Sequence, residues 1–289
     1  MLNPSQSKGR REENPMENNL NSPRVVAVDM DGTFVHSDNT YDQERFGRIL
    51  KRMTKQNAKF VVASGNQYYQ IKDFFPGIDE SLAFVAENGA FVKDEKEMVF
   101  AADMSRVVVE KTVEICLANP EIDLILCGLN SAYCQRGTVS QEFLDFASIY
   151  YHRLIWVDDL KAVDDQILKI ALMVPEERTT EFCTQFEHEL KGFVEPTASG
   201  HGSIDLIIPG CHKASGLKRL FERWQVDPKE CAAFGDGGND IEMLTYCSLS
   251  YAMANAPEEV KQAARYSCPS NEEDGVLEIL DQLYPEVEE

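Results

Sequence analysis

The chain is short of positive charge. Against 49 acidic side chains it carries 28 lysines and arginines, for a formal net charge of −21 at pH 7. Nucleic acid and anionic membrane surfaces both call for a basic face, so this deficit argues against either as a partner. It leaves a small anionic substrate open, because a local site can be positive on an acidic protein. No apolar run approaches the roughly 18 residues of a spanning helix. The first 23 residues have charges but no apolar core of a secretory signal, and they read as a disordered tail. The eight cysteines include no Cys-x-x-Cys pair and fall mostly in apolar runs. Buried reduced thiols in a cytoplasmic protein are the expectation, in place of a disulfide framework.

What is present is ordinary for an enzyme: 289 residues, 43% hydrophobic and 27% charged. That length suits about two domains at roughly 150 residues each. Strand and helix patterns alternate from the start. "VVAV" is a β-branched run, "DQERFGRILKRMTKQN" spaces Phe46, Ile49, Leu50 and Met53 as a helix does, and "AKFVVASGN" is a second strand. "LAFVAENGAFV" is a strand broken by a turn at Asn88–Gly89, with "EMVFAAD" as the return. Continuously apolar strands between helices point to a parallel sheet covered on both faces. From about Ser105 the texture changes to helices mixed with antiparallel-looking strands, ending in a hairpin around Gly200–His201–Gly202. The sheet pattern then resumes with "KASGLKRLFERW" and "ECAAFGDGGND". The expected fold is therefore α/β: a Rossmann-like parallel-sheet core over 24–101 and 205–284, with an inserted α+β cap over 102–204.

The stretch "VVAVDMDGTF" ends a buried strand with two carboxylates one residue apart, Asp29 and Asp31. An unpaired buried carboxylate costs several kcal/mol, so solvent or a cation must compensate. Asp236 and Asp240 in "GDGGND" follow another strand, and ligands of open parallel sheets bind at the carboxyl ends of strands. Clustered oxygens without thiolate or imidazole favour a hard ion such as Mg²⁺. Ser64 adds a hydroxyl after "VVA", the glycines of "GDGG" let backbone amides approach an anion, and Lys213 adds a positive charge. Metal, donors and lysine together describe a phosphate site.

"DMDGT", the serine of "VVASGN", the lysine of "HKASGL" and "GDGGND" resemble the four motifs of the haloacid dehalogenase-like phosphohydrolases. With "ENGA", "AMANAPEEVKQAA" and a cap between the second and third motifs, the chain resembles the Cof-type branch. Longer stretches such as "CGLNSAY" and "IDLIIPGCHKASG" are similar to a bacterial sugar phosphatase of that branch. The resemblance implies Asp29 as nucleophile and Asp31 as acid and base. It implies Mg²⁺ held by the carboxylates of Asp29 and Asp236 and the backbone carbonyl of Asp31. Ser64, Gly65, Lys213, Asn239 and the Met30 amide would bind the phosphoryl group. Asp240 would support from behind, and Thr33 would fix its loop by bonding to backbone. In the cap, Tyr133, His152, Arg153 and His201 are the candidates for facing the sugar. The implied substrate is a small phosphorylated sugar, and the implied assembly a monomer or small homo-oligomer. Two alternatives stay open: a phosphomutase sharing this cap arrangement, and a sugar-phosphate-binding regulator without catalysis. Closure of the cap, hinged near Ala102 and Ile204, would exclude bulk water from the site.

Overall fold

The structure is a computed structural model and describes residues 22–95, 97–200 and 202–286. The core begins with β1 (Val25–Val28), α1 (Gln43–Lys55), β2 (Lys59–Ala63), α2 (Tyr68–Lys72), β3 (Ala83–Ala86), β4 (Phe91–Asp94) and β5 (Glu97–Ala101). A second unit follows: α3 (Arg106–Leu117), β6 (Asp123–Gly128), β7 (Ala132–Gln135), α4 (Gln141–Tyr150), β8 (Leu154–Val157), β9 (Ile167–Met173), α5 (Thr179–Glu189), β10 (Glu195–Gly200) and β11 (Ser203–Ile207). The chain then returns to the core with α6 (Lys213–Trp224), β12 (Cys231–Gly235), α7 (Ile241–Tyr246), β13 (Leu249–Met253), α8 (Glu258–Ala263), β14 (Tyr266–Cys268) and α9 (Gly275–Leu283).

The core sheet runs in the order β14-β13-β12-β1-β2-β3-β4-β5. It is parallel from β14 to β3, and the hairpin-linked β4 and β5 add antiparallel at one edge. All four residues of β1 are buried, as a strand covered on both faces requires. On one face α1 turns Phe46, Ile49 and Met53 inward, where Phe46 meets the rings of Phe34 and Phe60. On the other, Leu217, Leu220 and Phe221 of α6 pack with Val61 and Val85. From β1 the strand order goes one way through β2 and β3 and the other way through β12 and β13. The crevice at such a reversal is where this architecture places ligands.

The inserted unit is a six-stranded sheet in the order β10-β11-β9-β6-β7-β8, antiparallel except between β7 and β8. Helices α3 and α5 bury Val109, Val113, Phe182 and Phe186 against one face, and α4 buries Phe143 and Ala147 against the other. This is the α+β cap expected between the sheet halves.

Two expected boundaries shift. Strand β11 pairs with β9 through Ile207, so the return to the core comes after Ile207 and the expected junction near Ile204 falls inside a strand. The hairpin carries Asp205 on the cap side for the same reason. Of the tail expected over 1–23, only Ser22 and Pro23 lie among the described residues, and both are anchored. Ser22 Oγ donates to the carbonyl of Leu283 at 2.8 Å, and the Tyr284 hydroxyl donates to the carbonyl of Pro23. The cysteines are all free, and all but Cys183 are buried. Among the described residues no helix is long and apolar enough to cross a membrane.

Candidate active site

The registers of β1 place its end beside the end of β12, with Val28 opposite Phe234. The Asp29 amide continues that ladder by donating to the carbonyl of Phe234 at 3.1 Å. The loops after both strands therefore share one place. After Asp29 the backbone coils tightly: the amides of Thr33, Phe34 and Val35 all point at the Met30 carbonyl, at 2.9–3.2 Å. Gly32 makes this possible with a φ of +73°, and a Cβ there would lie 2.4 Å from Asp236 Oδ2. The turn thus presses against the carboxylate of the other loop.

At the centre lies a buried ion cluster. Lys213 Nζ, 1% exposed at the first residue of α6, donates to Asp29 Oδ1 at 2.5 Å and Asp240 Oδ1 at 2.6 Å. Asp240 Oδ2 accepts the amides of Asp236 and Gly237 at 3.0 and 2.9 Å, which shapes the "GDGGND" loop. Thr33 Oγ1 donates to Asp236 Oδ1 at 2.7 Å. The bond expected from Thr33 to backbone is thus made to a carboxylate instead, because the tight turn aims the hydroxyl across the crevice. Asn255 Nδ2 holds the Gly32 carbonyl at 2.8 Å and approaches Asp236 Oδ2 at 3.4 Å.

Asp31 has a different setting. Its side chain is exposed toward the cleft, and Asn66 Nδ2 donates to its Oδ2 at 2.7 Å. Surrounding protein still displaces enough water to raise its carboxyl above the ordinary range, against the pull of that bond. Burial also raises Asp29 strongly, helped by the charge of Asp240 and opposed by Lys213. Asp236 is pushed to about 6 by burial, with the Thr33 bond opposing. For Lys213, burial alone favours the neutral amine, but Asp240 and Asp29 outweigh it and the ammonium stays charged.

Asp29, Asp236 and Asp240 bring carboxylate oxygens within 4.8 Å of one another. Three carboxylates facing one ammonium leave two negative charges, before Asp31 is counted. Asp240 has both oxygens engaged, whereas among the described residues Asp29 Oδ2 and Asp236 Oδ2 have no strong partner. An all-oxygen donor set with this surplus charge fits Mg²⁺.

A cleft of about 340 Å³ opens over this cluster, between core and cap. Of the expected site residues, Asp29, Asp31, Ser64, Gly65, Asp236 and Asn239 line it, while Lys213, Asp240 and Thr33 stand directly behind. Met30 sends its side chain into the core. The cap candidates are corrected. Tyr133 donates to Asp165 Oδ2 at 2.9 Å within the cap, and His152 pairs with core Asp73 at 2.8 Å. Arg153 stacks 4.1 Å over Tyr69, and its backbone amide donates to Gln67 Oε1 at 3.0 Å. These three are spent on cap structure and the core–cap seam, and none lines the cleft. His201 lies outside the described residues. The cap wall includes Tyr150, Tyr151, Lys169, Thr197, Ser203 and Asp205, with Ala198 and Gly200 between them. Of these, Lys169 carried a readable signal, a lone lysine within the apolar strand "ILKIALM" that must find buried partners.

A profile of the haloacid dehalogenase-like hydrolases matches residues 26–280. The chain belongs to this family. As a Cof-type member it is 43% identical over 262 residues to the 5-amino-6-(5-phospho-D-ribitylamino)uracil phosphatase YbjI of Escherichia coli K12, covering 91% of this chain and 96% of that one. Among solved structures, SMU.1108c from Streptococcus mutans UA159 aligns at a TM-score of 0.85 and 38% identity, over 90% of this chain and 98% of that one. The subclass IIB sugar phosphatase BT4131 aligns at 0.73 over 90% of this chain and 98% of that one, and at 19% identity that likeness is one of fold. The haloacid dehalogenase-like phosphatases act on phosphorylated substrates and generally use Mg²⁺, in keeping with the carboxylate cluster.

Proposed function

We propose that this phosphatase is Mg²⁺-dependent and hydrolyses the phosphate ester of a small sugar or sugar alcohol through a covalent intermediate on Asp29. The observation that carries the reading is the contrast between the two aspartates. Burial raises both carboxyls. But Asp29 is buried against the Lys213 ammonium, which opposes that shift and aims the carboxylate, whereas Asp31 sits at the cleft with its side chain on the Asn66 side-chain amide. A nucleophile and a proton donor need this difference.

Asp29 Oδ2 attacks phosphorus, the bond from phosphorus to the ester oxygen breaks, and Asp31 delivers its proton to the leaving alkoxide. Asp31, now a carboxylate, takes a proton from water as that water attacks the aspartyl-phosphate, which frees inorganic phosphate and regenerates Asp29. Ser64 Oγ accepts the Asn66 amide at 3.0 Å, which leaves its O–H to donate to the phosphoryl oxygens beside the Gly65 and Met30 amides. Asn239, whose Nδ2 reaches Asn88 Oδ1 at 3.1 Å, borders the same position. Asp29, Asp236 and the Asp31 carbonyl would hold Mg²⁺, which would supply neutralisation of the phosphoryl charge. Lys213 secures Asp29 and offsets part of the same charge.

The hydroxyl-bearing cap wall of Tyr150, Tyr151, Thr197 and Ser203 suits a polyol, and about 340 Å³ suits a small leaving group. The E. coli relative is named for a substrate with a phosphorylated ribityl chain, which favours a sugar-alcohol phosphate within the class.

The test is free phosphate release from hexose and pentose phosphates and from 5-amino-6-(5-phospho-D-ribitylamino)uracil, with Mg²⁺ and with EDTA. Metal-dependent release that falls about 10⁴-fold or more in Asp29→Asn supports the reading. Release from none of them, while added sugar bisphosphate starts phosphoryl exchange between sugars, establishes a mutase instead.

A further inference from the structure

Among the described residues Lys169 is the one lysine of the cap wall, and its ammonium is engaged by protein oxygens. It sits in the middle of β9, 4% exposed. Its ammonium has three N–H donors. Three oxygens surround it: the Gly65 carbonyl at 2.6 Å, Asp205 Oδ2 at 2.9 Å and Glu87 Oε2 at 3.2 Å. Asp205 comes from the cap, on β11, but Gly65 and Glu87 belong to core loops. Asn88 Nδ2 closes the cluster by donating to Asp205 Oδ2 at 2.9 Å. A cap cation is therefore buried on core acceptors, and only a seated cap brings them together.

The acceptor that matters is the Gly65 carbonyl. It belongs to the planar peptide unit joining Gly65 to Asn66, so fixing the C=O direction also fixes the Asn66 N–H on the opposite side. That N–H is the donor to Ser64 Oγ at 3.0 Å. The Asn66 side chain is the donor to Asp31 Oδ2 at 2.7 Å. One peptide plane thus orients both the hydroxyl offered to phosphate and the residue that holds the proton donor.

We infer that Lys169 is a positioning residue: by gripping the Gly65 carbonyl when the cap is seated, it sets the Ser64–Asn66 loop for phosphate. This role rests on the phosphatase reading. It makes cap closure and phosphate-site assembly one event, so that a phosphate ester is engaged fully only once water has been excluded.

Removing Lys169 alone also strands two buried carboxylates, and loss of folding would then imitate loss of positioning. The informative variant is Lys169→Met with Glu87→Gln, which removes the cation and the core carboxylate together. Hydrolysis of p-nitrophenyl phosphate with Mg²⁺ is compared with wild type, inorganic phosphate serves as competitive inhibitor, and thermal unfolding is followed in parallel. The expected result is near-native unfolding with inhibition by phosphate at least tenfold weaker and KM raised to match. A double variant that unfolds like wild type and is inhibited by phosphate within twofold of wild type overturns the role, because Lys169 then only balanced charge. If the double variant unfolds early, the same comparison is made on Glu87→Gln with Lys169→Gln, whose amide keeps polar contact in the site, and the same criteria apply. A wild type that neither hydrolyses the ester nor binds phosphate overturns the phosphatase reading itself, and this role with it.

Discussion

Lys213 should be worth several kcal/mol to the folded core, and the worth should depend on pH in a definite direction. Replacing it with methionine keeps the length of the side chain but leaves Asp29 and Asp240 buried without a cation. Breaking a buried ion pair by removing one partner costs about 3–5 kcal/mol. A second estimate comes from the way out that the variant has. Asp29 can fold protonated, and protonating a carboxyl of ordinary value 3.8 at pH 7 costs ~4 kcal/mol at 1.36 kcal/mol per unit. The two estimates agree.

In the variant the folded state then holds a proton that the unfolded chain releases above pH 3.8, so a raised folded value makes stability grow as pH falls. At pH 5.5 the same arithmetic gives ~2 kcal/mol. Urea unfolding in EDTA, followed through Trp224 on α6, measures this in the core containing Lys213. Lys213→Met should lose about 4 kcal/mol at pH 7 and about half of that at pH 5.5. A loss below about 1 kcal/mol at pH 7, or a loss that does not shrink on acidification, would refute the picture of a buried cluster held by one ammonium.

Two further outcomes follow from the same geometry. Gly32→Ala places a methyl 2.4 Å from Asp236 Oδ2 at a φ of +73°, so it should push that carboxylate aside and lower kcat/KM about 100-fold, with a fold loss of only 1–2 kcal/mol by roughly the usual left-handed penalty. Activity within threefold of wild type, beside unchanged circular dichroism, would count against Asp236 being placed by that turn. Glu87, buried 3.2 Å from Lys169, has its carboxyl raised from 4.5 to about 6 by loss of water, so its ionisation costs the folded state ~2 kcal/mol as pH rises through that window. Denaturant titrations at pH 4.5 and 7 should show wild type losing about that much relative to Glu87→Gln, and a constant difference would remove Glu87 as the titrating group.

Much of the chemistry was legible along the chain because its signals are local. A buried β-branched run followed by "DMDGT" and the short apolar run "CAAF" followed by "GDGGND" announce strand ends that bear carboxylates, whatever packs around them. The same holds for the helices: Phe46, Ile49 and Met53 recur at the period that puts them on one face, and all three are buried. The aspartates, Ser64 and Lys213 could be named from order and spacing, Gly65 and Asn239 from the family resemblance, and the structure gathers them around one crevice.

What the chain order could not decide was which side chains meet across long separations. His152, Arg153 and Tyr133 are polar, cap-borne and chemically suited to a sugar, yet their partners Asp73, Gln67 and Asp165 are chosen by how the cap sits and how its own strands pair. Thr33 finds Asp236, 203 residues away, because the turn at Gly32 aims it there. Asp205 changes sides because strand pairing with β9, and not a shift in local composition, carries the cap through Ile207. Local sequence determined the elements and the reactive groups, since periodicity and turn chemistry act over a few residues. Only tertiary structure decided the cap's contribution, since a lysine in an apolar strand shows that it needs partners without showing that one of them is the backbone of the phosphate loop.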